Sequence, residues 1–325
     1  MASPRPIGVY YEHPHWFRPL FAELERRGVP YTALHADEHS FDPAAAAPAA
    51  NHPLVVNRMS PSAWTRGRAD EIAYTLHYLA HLEAVGAPVF NGLPAFTYET
   101  SKALQLSLLG RLGLPAPRTC VAHGLARLAQ AARGLAFPVL VKPNVGGSGA
   151  GIARFDTPEA LAGAAEAGRV DEGLDRTLLV QEYHPPRGGC IVRVETLEGR
   201  YVYGIRIHLG EGAGFNLCPA DVCRTVDGAA LTSAACPAGA QQAGLSVEAF
   251  VPPRPAIEAA ERIARAAGLD AGGIEYLESE RDGGLYFYDI NALSNFVAEP
   301  LRVLGFDPTV LLVDALVARA ERRAA

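Results

Sequence analysis

Long apolar runs are missing from this chain. No stretch approaches the roughly 18 residues that a membrane-spanning helix needs, and residues 1–16 contain no apolar core of a secretory signal. No membrane partner is expected, and the expected location is the cytoplasm. Cysteine is scarce: Cys120, Cys190, Cys218, Cys223 and Cys236 are the five among 325 residues. Their odd number and irregular spacing argue against a disulfide framework and point to free thiols in a reducing compartment. Cys218 and Cys223 with His208 form no Cys-x-x-Cys pattern that would support a zinc site. Positive charge is not in excess either. The 29 Lys and Arg stand against 35 Asp and Glu, a formal net charge of −6. Without a basic stripe, nucleic acid is not an expected partner.

What is present is the composition of a folded protein, 49% hydrophobic and 20% charged. Its length suits two or three packed subdomains rather than one core. The first third alternates strand and helix. Residues 7–11 form a β-rich run, and Phe17, Leu20, Phe21 and Leu24 follow at helical spacing until Gly28. Strands are expected at 31–34, 54–57 and 89–91, with a helix near 70–84 between the last two. Such β-α-β alternation implies a parallel, covered sheet. His13 and His15 flank Pro14 in the loop after the first strand and read as loop residues without catalytic duty. The next helix begins near Thr100 as its N-cap and ends at Gly113 and Pro115. Further strands are expected at 138–142, 152–155, 178–183, 191–197, 201–208, 273–278 and 285–291. Helices are expected at 158–167, 255–267 and 308–322. The fold class is therefore α/β in part and α+β in part.

The loop after the strand at 138–142 is rich in glycine: Gly146, Gly147, Ser148, Gly149 and Gly151 follow Lys142 closely. Glycines let backbone N–H groups wrap an anion. A Walker A loop is excluded, because its lysine ends the loop and a helix follows. A dinucleotide fingerprint is excluded because the third glycine position falls on Arg154. What remains is a β-hairpin flap with a cation at its base, suited to closing over a triphosphate and excluding water.

Near the other end stand Glu275 and the run Asp289-Ile-Asn291. On an extended strand Asp289 and Asn291 share a face. The strand of Glu275 is expected to pair with theirs across the turn at 281–284. Three oxygen-bearing side chains would then converge, a donor set suited to Mg²⁺.

Taken in order, these motifs resemble the ATP-grasp superfamily, and within it the RimK-type and glutathione-synthetase-like ligases. Lys102 with the run 109–119 resembles the family's entry segment. The run 137–143 with the glycine loop resembles its phosphate flap. Gln181, Glu182 and Tyr183 resemble the hinge that holds adenine, and Asp289-Ile-Asn291 its metal motif. Arg193 and Arg206 fall where the family keeps cations, and Asn216 where RimK-type ligases place a polar residue. The resemblance spans about residues 85–300. It implies an N-terminal α/β domain at 1–95, a central subdomain with the flap at 96–184 and a C-terminal subdomain with the metal site at 185–325.

The resemblance implies an ATP-dependent carboxylate–amine ligase that works through an acyl phosphate and releases ADP and phosphate. Lys102, Lys142 and Arg206 would align the phosphates. Gly146, Gly147, Ser148, Gly149 and Gly151 would cover them. Glu275, Asp289 and Asn291 would hold two Mg²⁺, which Mn²⁺ could replace. Arg206 or Arg193 would steady the oxyanion. The partners would be a carboxylate and an amine of small-molecule or peptide kind, with self-association left open. The alternatives are a small-molecule kinase of the same fold and an ATP-binding regulator without turnover. Two departures concern the acceptor pocket. Ala292-Leu-Ser-Asn-Phe296 stands where the family often has Pro-Gly, and Ile191 stands where RimK-type ligases carry an acid. The sequence therefore names no substrate.

Overall fold

The computed structural model describes residues 5–13, 15–44, 52–147, 149–210 and 245–324. Ser148, Asn216, Cys218, Cys223 and Cys236 lie outside the described residues.

The N-terminal strands β1 (Ile7–Tyr11), β2 (Tyr31–His35), β3 (Val55–Arg58) and β4 (Val89–Phe90) form a parallel sheet in the order β2-β1-β3-β4. Parallel strands are covered on both faces, so they read as near-continuous apolar runs. One face meets α1 (Arg18–Arg26), whose Leu20 and Leu24 are buried one turn apart. The other face meets α2 (Ala69–Ala84) through Ile72, Leu79 and Leu82.

Two helices, α3 (Leu93–Glu99) and α4 (Lys102–Arg111), lead onward. The N-cap of α4 is Ser101 rather than the expected Thr100. Ser101 Oγ accepts from Leu104 N at 3.3 Å, while Thr100 closes α3. Asn144, at the root of the glycine loop, adds to this cap by accepting from Ala103 N at 3.0 Å. The middle sheet is antiparallel, β5 (Thr119–His123), β6 (Val139–Pro143), β7 (Ala153–Phe155) and β8 (Thr177–Glu182), in the order β5-β8-β6-β7. Its Val139, Val141, Leu178 and Val180 pack on Leu128 and Ala131 of α5 (Leu128–Ala131) and on Leu161 of α6 (Pro158–Glu166).

The third sheet comprises β9 (Cys190–Leu197), β10 (Arg200–His208), β11 (Ser246–Ala249), β12 (Ala271–Glu278) and β13 (Leu285–Asn291), in the order β11-β10-β9-β12-β13. Val192, Val194, Ile274 and Tyr276 press on Ala259, Ala260 and Ile263 of α7 (Arg254–Ala267). After the short α8 (Pro300–Val303), α9 (Pro308–Ala324) returns to the first sheet. There Leu312, Val313 and Leu316 join Ile7, Val9, Leu54 and Leu24 in one core. The last 17 residues of the described chain thus pack on the first sheet, although they follow the third sheet in sequence. An amphipathic stripe specifies a buried face and not its partner.

Asn91 joins the first sheet to the third. It sits just after β4 in the left-handed region at φ 53°, which Asn tolerates better than most residues. Its side chain accepts from Asp270 N at 2.7 Å and Ala271 N at 3.1 Å, and donates to Ala271 O at 2.7 Å and Ala292 O at 2.6 Å. Asn91→Ala would leave those backbone groups buried without partners, at about 1–3 kcal/mol for each unmet group before relaxation. The expected loss of stability is about 3 kcal/mol, checked by denaturant unfolding. A change below about 0.5 kcal/mol would show that the junction does not depend on it.

Candidate active site

A cavity of about 410 Å³ lies where the three sheets meet. Strand alternation decides what faces it. On the middle sheet Leu140 pairs with Gln181 and with Arg154, so these three share a face with Lys142, and all four line the cavity. Gly146, Gly147 and Gly149 of the flap, and Glu182 and Tyr183 of the hinge segment, complete that wall. The Tyr183 N–H donates to Pro138 O at 2.9 Å, so that hinge donor is already engaged. Gln181 Nε2 donates to Thr119 Oγ1 at 2.9 Å. Arg154 lies 4.7 Å over the Tyr183 ring.

The third sheet faces the cavity with Arg193, Glu275, Asp289 and Asn291. Glu275 pairs with Arg193 on one side and Asp289 on the other, and Gly273 pairs with Asn291. The pairing of the Glu275 strand with the Asp289 strand is thus the one expected from the turn at 281–284. A bulge between Glu275 and Tyr276 leaves Tyr288 without a partner in the ladder, and its ring joins the cavity wall 5.5 Å from Lys142 Nζ. Gln105 of α4 bonds the backbone of Ile290 in both directions, at 2.8 and 3.1 Å, and so lays α4 along β13. That docking delivers Lys102 Nζ to Asp289 Oδ1 at 2.6 Å.

The site is a buried charge cluster. Arg193 donates to Glu195 at 2.6 Å and to Glu275 at 3.0 Å. It reaches both by lying over Gly273, where an added Cβ would stand 2.4 Å from the guanidinium Nε. Burial pushes the Asp289 carboxyl up, but Lys102 beside it, helped by Lys142 and Arg193, outweighs this and holds it below its usual value. Burial raises Glu275, with Arg193 pulling the other way. Burial and the nearby charge of Lys102 bring Lys142 down to about 8. Buried groups of both signs with shifted protonation, gathered in one cavity, are the mark of a candidate functional site.

Gly151 does not line the cavity. Its φ is +72° and an added Cβ would stand 2.7 Å from Pro143 Cγ, so it serves the turn of the flap. Arg206 does not join the cluster either. An unbroken β9–β10 hairpin would set Arg206 opposite Ile191, on the face of Arg193. A bulge between Tyr201 and Tyr203 shifts the register so that Arg206 pairs with Val192. One residue of slip turns a side chain to the other face. There Arg206 pairs with Glu248 at 3.2 Å and lies 3.9 Å over the Phe250 ring.

Several cavity residues carry no motif. Glu99 is buried, accepts from the backbone N–H groups of Ala292 and Leu293, and is pushed up to about 7 by burial. It holds the segment that follows Asn291. Glu195 does not line the cavity but stands behind it: two residues beyond Arg193 on the same face of β9, it accepts from Arg193 at 2.6 Å, and that two-residue parity is the signal which could have found it. Trp16, Ser60 and Ser62, from the segments after β1 and β3, and Asn295, from the loop after β13, close the cavity. No cluster of three His, Cys, Asp or Glu able to hold a metal occurs among the described residues. From the third sheet the cavity is offered the carboxylates of Glu275 and Asp289 and the Asn291 carboxamide instead. That hard-oxygen set fits Mg²⁺, which commonly takes its other ligands from water and phosphate.

No protein-family model matches the chain. A probable alpha-L-glutamate ligase of Teredinibacter turnerae is 29% identical over 140 residues, 43% of this chain and 46% of that protein. The chain thus spans about half the length of the curated relatives it matches. Likeness to solved structures runs over nearly the whole chain. The ATP-grasp ligase PsnB, complexed with a minimal precursor, superposes with a TM-score of 0.66 at 20% identity, covering 98% of this chain and 100% of that one. A RimK domain ATP-grasp protein of Sphaerobacter thermophilus gives 0.64 at 18%, covering 95% and 99%. This chain has the ATP-grasp fold. In ATP-grasp terms the middle sheet is the one bearing the flap, and the third sheet bears the acidic motif. Among the described residues no helix is long and apolar enough to cross a membrane.

Proposed function

We propose that this ATP-grasp protein is an ATP-dependent carboxylate–amine ligase. The observation that carries the reading is the convergence of Lys102, Lys142 and the glycine flap with Glu275, Asp289 and Asn291 on one cavity. Its likeness to alpha-L-glutamate ligases supports the reading.

ATP would lie with adenine between Leu140 and the segment Gln181–Tyr183, and its phosphates under Gly146, Gly147 and Gly149. Lys142 and Lys102 offset the phosphate charge. Glu275, Asp289 and Asn291 would hold Mg²⁺, two ions in this reading with Mn²⁺ as a substitute. The metal would neutralise charge on the transferring phosphoryl group. A substrate carboxylate oxygen attacks the γ-phosphorus, ADP leaves, and an acyl phosphate forms. The amine then attacks the acyl carbon, phosphate leaves with that oxygen, and the amine proton passes to solvent or a nearby base. No enzyme nucleophile is required. The closed flap keeps water from the acyl phosphate. Arg193 acts by holding Glu275 in place. Arg206, turned to the far face, has no contact with this cavity.

The substrates are an acid and an amine of amino-acid, peptide or small-metabolite kind. The free Cys120 and Cys190 suit a reducing cytosol. The test is a screen of pooled acids and amines for release of ADP and phosphate. Release that needs both an acid and an amine supports the ligase. Release of AMP, or a phosphorylated product with no amine required, removes it.

A further inference from the structure

The flap does not stop at the nucleotide cavity. It reaches the N-terminal segment at the 3₁₀ turn Pro61–Arg66. Val145, at the flap root, is buried in the same core cluster as Met59 and Ala63 of that turn region. Two residues on, a Cβ added to Gly147 would stand 3.0 Å from Ser62 Cβ, 3.5 Å from Ser62 N and 3.6 Å from Ser62 Cα. Flap and turn therefore touch backbone to side chain, and only a residue without a Cβ fits at that approach without displacement.

The receiving surface is tied by side-chain hydrogen bonds. Ser62 is 2% exposed. Its hydroxyl lies 2.8 Å from Ser60 Oγ and accepts from Arg66 Nη1 at 3.1 Å. Arg66 in turn grips the buried Glu12 with two bonds of 2.7 Å and lies 5.0 Å over the Trp16 ring. Such a bidentate pair fixes geometry as well as charge. Ser60, Ser62 and Trp16 line the same cavity as the flap.

We propose that the turn Pro61–Arg66 is the seat on which the phosphate flap closes, with Ser62 as the positioning residue that receives Gly147. The inference rests on the ATP reading above and adds a part to it: closure needs the N-terminal domain as well as the nucleotide. Packed surfaces resist an added methyl group, because the neighbour must shift. Here the neighbour is held by Ser60 and Arg66 and shifts at a cost.

The test is a set of variants titrated with Mg²⁺ and the non-hydrolysable β,γ-imido analogue of ATP, read by calorimetry. Gly147→Ala should weaken binding about tenfold or more. Adding Ser62→Gly, which removes the opposing Cβ, should restore affinity to within about threefold of wild type. Adding Ser62→Ala, which keeps the Cβ and loses only the hydroxyl, should not. Glycine at 147 serving only to bring backbone N–H groups to phosphate would give no rescue by Ser62→Gly, and that result overturns the seat. Undiminished binding by Gly147→Ala overturns it equally. Failure of the wild type itself to bind the analogue would instead overturn the ATP reading, and this inference with it.

Discussion

Asp289→Asn is expected to cut ATP-dependent turnover by roughly 10³-fold or more while the protein stays folded. The carboxylate contributes a full negative charge to the oxygen set made with Glu275 and Asn291. An amide keeps the shape and loses the charge that a divalent cation needs. Several kcal/mol of charge stabilisation in the transition state correspond to about three decades of rate at 1.36 kcal/mol each. The same carboxylate pairs with Lys102 at 2.6 Å, so the substitution also disturbs a mostly buried ion pair. Two features favour survival of the fold. The amide oxygen can still accept from Lys102 Nζ, and Lys102 keeps the negative fields of Glu99 and Glu275. Circular dichroism and a thermal midpoint separate the two effects. Turnover within about threefold of wild type, with an unchanged spectrum, would remove Asp289 from the metal set.

Lys142→Met is expected to weaken ATP binding by about 10- to 100-fold, the value of one charge-assisted bond of roughly 1.5–3 kcal/mol to phosphate. It also makes a pH prediction whose sign is fixed. Burial and the charge of Lys102 lower Lys142 to about 8. A bound triphosphate favours the charged form and raises it again. Below about pH 8 the ammonium is already present and affinity is flat on its account. As the pH climbs through 8 toward the ordinary lysine value, the free protein loses that proton and must take it back on binding. The affinity of wild type for ATP should therefore fall between pH 8 and 9.5, and that of Lys142→Met should not follow it. Calorimetry at several pH values checks both; parallel profiles would place Lys142 away from the phosphates.

Much of this arrangement is legible in residue order. Asp289 and Asn291 alternate beyond the bulge at Tyr288 and so share a face, and the turn at 281–284 brings Glu275 beside them. Lys142 precedes a run of glycines on a strand whose other face is Val139 and Val141, which sets its direction. Arg206 is legible as a cation but not as to its face, because one bulge near Tyr201 reverses every later residue of β10. The destination of α9 is hidden for another reason. Its stripe of Leu312, Val313 and Leu316 fits any apolar sheet, and only the folded chain selects the first one. Glu99, Trp16 and Ser62 reach the cavity through contacts between segments far apart in sequence, which no local pattern records. Glu99 in particular falls outside every motif and element read from the sequence.

In the proposed reaction a carboxylate oxygen attacks the terminal phosphorus of ATP. With a productive acid and amine in hand, the acid is labelled with ¹⁸O in its carboxylate, and the inorganic phosphate is examined by mass spectrometry. One labelled oxygen per phosphate formed, with ADP as the nucleotide product, is the expected result. Unlabelled phosphate, or AMP with pyrophosphate, would contradict the acyl-phosphate account of this cavity.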